Sequence, residues 1–199
     1  MAVQREPLPV GEQLMKELNS LRNHLLIAMP AMADSWFAST VTYLCEHNDD
    51  GAMGIVLNKP LDIGFADICL QLDIDRLEHI RPTIFTGGPV SQEQGFILHR
   101  EPGDWSSTMA VTESVQLTSS KDILRAMAQG RGPHDYLLAL GYAGWSPGQL
   151  DQELRDNAWL TLEATPDLLF GQDYRDLYDI ALSKLGISAE FLSSDAGHA

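Results

Sequence analysis

The sequence predicts an α+β fold: a single compact domain with a mixed β-sheet and flanking helices. Three features lead to this. Val41 to His47 and Ala52 to Asn58 are rich in β-branched, aromatic and apolar residues, and Asn48-Asp49-Asp50-Gly51 between them is turn chemistry, so the pair reads as a hairpin. Leu137-Leu-Ala-Leu140 is apolar without alternation, the pattern of a strand buried on both faces. The C-terminal half carries helix starts marked by a hydroxyl residue followed by proline. With 199 residues, 44% hydrophobic and 21% charged, the chain has enough apolar surface to offset its conformational entropy.

Taken in order, residues 1–20 form a leader, either loose or folded over Gly11 to Ser20 with Leu14, Met15 and Leu18 on one stripe. The ordered domain spans 21–192, and residues 193–199 form a flexible tail. His24 to Met29 is a short buried strand stopped by Pro30, before the hairpin strands. Phe65 to Leu72 has helical spacing. Thr83 to Thr86 and Gly95 to His99 are strands flanking Gly87-Gly88-Pro89, and Val111 to Leu117 is a further strand. Ser119-Ser-Lys-Asp122 reads as a capping box opening a helix to about Gln129. Asp135 to Gly141 is the doubly buried strand, and Gly141-Tyr-Ala-Gly-Trp145 leaves it as a loop. Ser146-Pro147-Gly148-Gln149 starts a helix reaching about Asn157; Thr165-Pro166 repeats the signal; Tyr174 to Leu185 is the last helix, stopped by Gly186.

Thirteen basic residues against 28 acidic ones leave a net charge of −15, which repels phosphate backbones and argues against direct nucleic-acid binding. The longest apolar run, Leu25 to Ala33, is broken by Pro30 and covers about half of the ~20 residues a membrane helix requires. No signal-peptide pattern opens the chain, and Cys45 and Cys69 lack metal-type spacing, so a cytoplasmic protein with reduced thiols is expected.

Cys45 and His47, two apart in a strand, would share a face, the placement a thiolate nucleophile and its base need. The competing reading makes Cys45 core filling, because Glu46, Asp49 and Asp50 disfavour a thiolate. His24, His47, His79, His99 and His134 are scattered; a zinc site would need the fold to bring Cys45, His47 and His99 together, so neither metal nor cofactor is expected. Thr86-Gly-Gly-Pro-Val90 lacks the ending of a phosphate loop and suits a tight turn. Gly141 to Trp145, at the carboxyl end of a strand, is placed where ligand loops occur, or else packs Tyr142 and Trp145 as core lids.

Several blocks carry a family pattern: Leu25-Leu-Ile-Ala-Met-Pro30, Tyr43-Leu-Cys-Glu-His-Asn48, Gly51-Ala-Met-Gly54, Asn58-Lys-Pro60, Gly87-Gly-Pro-Val90, Gly95-Phe-Ile-Leu-His99, Thr118-Ser-Ser120, Gly141-Tyr-Ala-Gly-Trp145 and Asn157-Ala-Trp-Leu160. Over about residues 20–187 the chain resembles the YqgE/AlgH family of bacterial proteins. The resemblance implies a compact α+β fold with a mixed sheet, and a cytosolic bacterial protein. It implies no established reaction and carries no catalytic residues to this chain. One branch of the family is named for regulation of alginate production and labelled a transcriptional regulator. The reading that results is a non-enzymatic regulator or adaptor with a protein or small-molecule partner, its surface at Glu46, His47, Asn48, Asn58, Gly87, Gly88, Pro89, His99, Tyr142, Gly144 and Trp145. The alternative is a small hydrolase or transferase using Cys45 with His47.

Overall fold

Among the described residues, nine strands, several of them with runs of side chains buried on both faces, set the architecture. The computed structural model describes residues 20–30, 32, 34–76 and 80–188; the leader up to residue 19, His79 and the tail 193–199 lie outside them. The strands are β1 (His24–Ala28), β2 (Val41–Asn48), β3 (Gly51–Val56), β4 (Ile84–Thr86), β5 (Val90–His99), β6 (Thr108–Ala110), β7 (Gln116–Thr118), β8 (Tyr136–Trp145) and β9 (Trp159–Glu163). The helices are α1 (Phe65–Gln71), α2 (Lys121–Ala128), α3 (Gln149–Arg155), α4 (Pro166–Phe170) and α5 (Leu177–Lys184).

One sheet holds all nine strands in the order β6-β7-β5-β8-β3-β2-β1-β9, with β4 added beside β8. Every pairing is antiparallel except β4 with β8, which is parallel. The result is a single domain with a curled, largely antiparallel sheet and several helices, compatible with the α+β class.

β8 is the hub. Its first half pairs with β4 and β5, and after Gly141 its second half pairs with β3 at Ala143 to Trp145. Gly141 has φ +74°, and a Cβ there would lie 2.6 Å from the Gly88 carbonyl oxygen. Only glycine fits this bend at low cost, because the chain leaving β4 crosses the β8 backbone there. Residues 141–145, expected as a loop, are therefore strand, since the β3 edge recruits their backbone groups.

Leu25, Ile27, Tyr43, Phe85 and Leu98 pack with Leu168, Leu169, Leu177, Ala181 and Leu182 of α4 and α5. Ile84, Ile97 and Leu138 pack with α1 and α2. Leu26, Leu44, Ala143, Trp145 and Trp159 pack with Leu150 of α3. Neighbouring strand residues fall in different clusters because strand side chains alternate between faces.

Several boundaries differ from the expected ones. β5 begins at Val90, before the expected Gly95, and the stretch expected as one strand over 111–117 is mostly the bend that joins β6 to β7, with strand only from Gln116 on. The Asp122 carboxylate takes the hydroxyls of Ser120 and Ser106, so it ties α2 to the segment before β6 and the Ser119 capping box does not form. Gln149 Oε1 does accept the Ser146 N–H at 3.0 Å, but Pro147-Gly148 forms a turn and α3 starts two residues later than expected. Thr165 caps α4 through Leu168 N–H with Pro166 at its start, as expected.

Candidate functional site

An open cleft of about 830 Å³ lies at the end of the β2–β3 hairpin, lined by Ser20, Arg22, Asn23, Glu46, His47, Asn48, Asp49, Val111, Gly148 and Asp151. Four parts of the chain meet there: the approach to β1, the hairpin tip, the residue after β6 and the first turn of α3. Arg22 fixes one wall, its guanidinium donating to the carbonyls of Ala110 and, at 2.8 Å, Val111. Asn23 Oδ1 accepts the Tyr43 hydroxyl at 2.9 Å, which locks the base of the cleft to β2.

His47 is held from two sides. Its Nδ1 accepts the Leu21 N–H at 3.0 Å, so Nδ1 is unprotonated, and Nε2 faces Asp151 Oδ1 at 3.7 Å. Ser20 adds a hydroxyl donated to the His47 carbonyl at 2.8 Å. The ring side chain is 10% exposed and Asp151 47%, so the carboxylate faces solvent while the imidazole forms part of the wall.

Cys45 points elsewhere. A β-bulge shifts the β2–β3 register between Leu44 and Glu46, and one extra residue reverses the facing of everything beyond it. Cys45 packs with Tyr43 and Ile55, whereas His47 lies opposite Ala52, which belongs to the cluster of Leu44 and Trp145. Thiol and imidazole thus lie on opposite faces, which corrects the expectation that they share one. The thiol is fully buried, its hydrogen-bond partner the Tyr43 carbonyl at 3.8 Å, and burial pushes its pKa far up. A group so placed is neither accessible nor ionised.

Of the residues expected on a common surface, Glu46, His47 and Asn48 line the cleft, and Glu46, Asn48 and Trp145 line an adjoining hollow of about 190 Å³. Trp145 and His47 both pair with Ala52, from opposite sides of β3, so they stand two strand spacings, roughly 10 Å, apart. Gly144 pairs with Met53 beside that hollow, and Tyr142 rests edge-on against Phe96. The rest hold the scaffold. Asn58 accepts the Val41 N–H and donates to the Ser39 carbonyl. Gly87 and Gly88 form the buried crossing over β8, with Pro89 exposed beyond it. His99 is fully buried between the Glu101 carbonyl and the Thr118 hydroxyl, each at 2.8 Å, with Trp105 edge-on to its ring.

Ser20, Arg22, Asn23, Asp49, Val111, Gly148 and Asp151 line the cleft but were not expected there. Asp49 reads in sequence as a turn residue and Gly148 as part of a helix start; only the fold carries Arg22 across to β6. Among the described residues no group of three His, Cys, Asp or Glu could hold a metal ion, and no helix is long and apolar enough to cross a membrane.

These features define an α+β domain of one curled sheet with an open polar cleft at a hairpin end. The AlgH-like family model matches residues 25–190, and the chain belongs to that family. A UPF0301 protein of Vibrio cholerae serotype O1 is 47% identical over 186 residues, covering 90% of this chain and all of its own length. One from Nitrosospira multiformis is 49% identical over 182 residues, covering 90% and 97%. The solution structure of the AlgH protein from Pseudomonas aeruginosa superposes with a TM-score of 0.75 at 42% identity, over 98% of this chain and 100% of that one. A Corynebacterium diphtheriae protein shares the fold, with a TM-score of 0.64 at 17% identity over 92% of this chain and 90% of its own.

Proposed function

We propose that this protein is a non-enzymatic regulator or adaptor of the bacterial cytoplasm that engages a protein or small-molecule partner through the cleft at the β2–β3 hairpin. The observation that carries this reading is the cleft itself: about 830 Å³, open, with Glu46, His47, Asn48, Asp49 and Asp151 at one place on the surface. Binding sites combine such concavity with a few placed polar groups. The net charge of −15 favours basic or neutral partners and disfavours duplex DNA. The buried Cys45, facing away from His47, lacks what a hydrolase or transferase nucleophile needs.

The test is native mass spectrometry of the protein purified from bacterial cytosol at moderate salt, beside Asp151→Ala and Glu46→Ala variants. A bound species present on the wild type and lost from both variants is the expected result. Unchanged occupancy in the variants, or nanomolar affinity for duplex DNA at physiological salt, removes the reading. Iodoacetamide at neutral pH is expected to label Cys45 slowly in the native protein and fast in denaturant; fast native labelling favours the enzyme instead.

A further inference from the structure

We infer that His47 is a proton-operated latch for the wall of the cleft. The Leu21 N–H has its acceptor in His47 Nδ1, at 3.0 Å. A ring nitrogen accepts only when it carries no proton, so this bond exists only with the neutral imidazole. Protonation places a second N–H against the first and turns attraction into repulsion. The cationic ring has a partner waiting, because Asp151 Oδ1 of α3 lies 3.7 Å from Nε2. The neutral ring thus binds the chain ahead of β1, and the charged ring binds α3.

The other charged groups lining this cleft are Glu46 on β2, Asp49 in the hairpin turn and Arg22 ahead of β1. Glu46 is engaged by the Asn48 amide at 2.8 Å, and two of the Arg22 guanidinium nitrogens by backbone carbonyls. A second tether, the Ser20 hydroxyl on the His47 carbonyl at 2.8 Å, is independent of pH and keeps the segment near while the latch is open. Ser20 lines the cleft, so opening the latch reshapes its mouth. A consequence for partner binding rests on the function proposed above; the latch itself does not.

Two-dimensional NMR of the full chain between pH 5 and 8 tests it, following the His47 ring carbons and the exchange of backbone amides. The Leu21 protection factor is expected to fall about tenfold, the worth of one hydrogen bond, with the same midpoint as the ring. The Asn23 amide, bonded to the Leu44 carbonyl at 2.9 Å, is the internal control and stays constant. In His47→Asn, whose amide oxygen can take the place of Nδ1 and does not titrate, Leu21 protection becomes flat with pH. The latch is overturned if Leu21 keeps its protection while His47 titrates, if Asn23 loosens in parallel, or if His47→Asn retains the same pH dependence. Each readout is taken without a ligand, so the latch can fail while the binding function stands, and the reverse.

Discussion

His99 illustrates how a polar side chain is carried in a core. Its Nδ1 donates to the Glu101 carbonyl, so Nε2 must accept from the Thr118 hydroxyl, which also lies 2.7 Å from the Thr108 hydroxyl. Burial lowers its pKa, outweighing the pull of the Glu101 carbonyl. The native ring therefore stays neutral at pH values where the unfolded chain, with an ordinary histidine near ~6.5, has taken up a proton. The unfolded state binds more protons there, so stability is full above that pH and is lost as pH falls towards the lowered native value. Urea unfolding at pH 7.5 and 5.5 is expected to show this loss in the wild type and a smaller one in His99→Gln. The variant should also cost about 2 kcal/mol at the higher pH, through the packing and hydrogen bonds it disturbs. Equal losses in both proteins would exclude His99 as the source. Nothing in the sequence separates this histidine from His47: both sit at strand ends beside acidic residues, and only the β5–β7 pairing buries one of them.

At the scale of elements, legibility followed the strength of local signals. The β2–β3 hairpin was readable because Asn48 to Gly51 offers few alternatives to a turn, and Asn48 Oδ1 indeed accepts the Asp50 N–H at 2.8 Å. β9 carried no such mark. Its five residues gain their conformation from pairing with β1, a contact over 130 residues distant that no local pattern encodes. The bulge in β2 is equally silent, and it decides the fate of the Cys45 and His47 pair. The Gly87-Gly88 turn was legible as punctuation, but not its reason. A Cβ on Gly88 would lie 1.9 Å from the carbonyl carbon of Tyr142, so backbone meets backbone at the β4–β8 crossing. No side-chain rotation relieves such an overlap. Gly88→Ala is expected to destabilise the whole domain by more than about 3 kcal/mol. Gly148→Ala, at a left-handed position with open space around it, should cost only about 1 kcal/mol. Thermal melts of the two variants check the contrast, and similar losses would mean that β8 can move away from the turn.

For the molecule as a whole, the fold class and the acidic character were legible because both are sums over the chain. The cleft was not, because it forms where four separated segments converge. Net charge also makes a claim of its own. With 28 acidic and 13 basic residues, repulsion is spread over the surface, while exposed pairs such as Arg100 with Asp135 at 3.5 Å offset it only locally. Such pairs contribute about 0–1 kcal/mol each, and salt weakens them. Salt also screens the repulsion, which acts between many more charges and over longer distances, so the second effect wins. Raising sodium chloride from about 10 to 150 mM shortens the screening length from ~30 to ~8 Å. If this relieves about 1 kcal/mol of repulsion, the melting temperature rises by about 2–4 °C for a domain of this size. Calorimetry in the two buffers at pH 7.5 measures it directly. A melting temperature that falls with salt would show that attractive pairs govern the surface, and would remove the argument that net repulsion limits the stability of this domain.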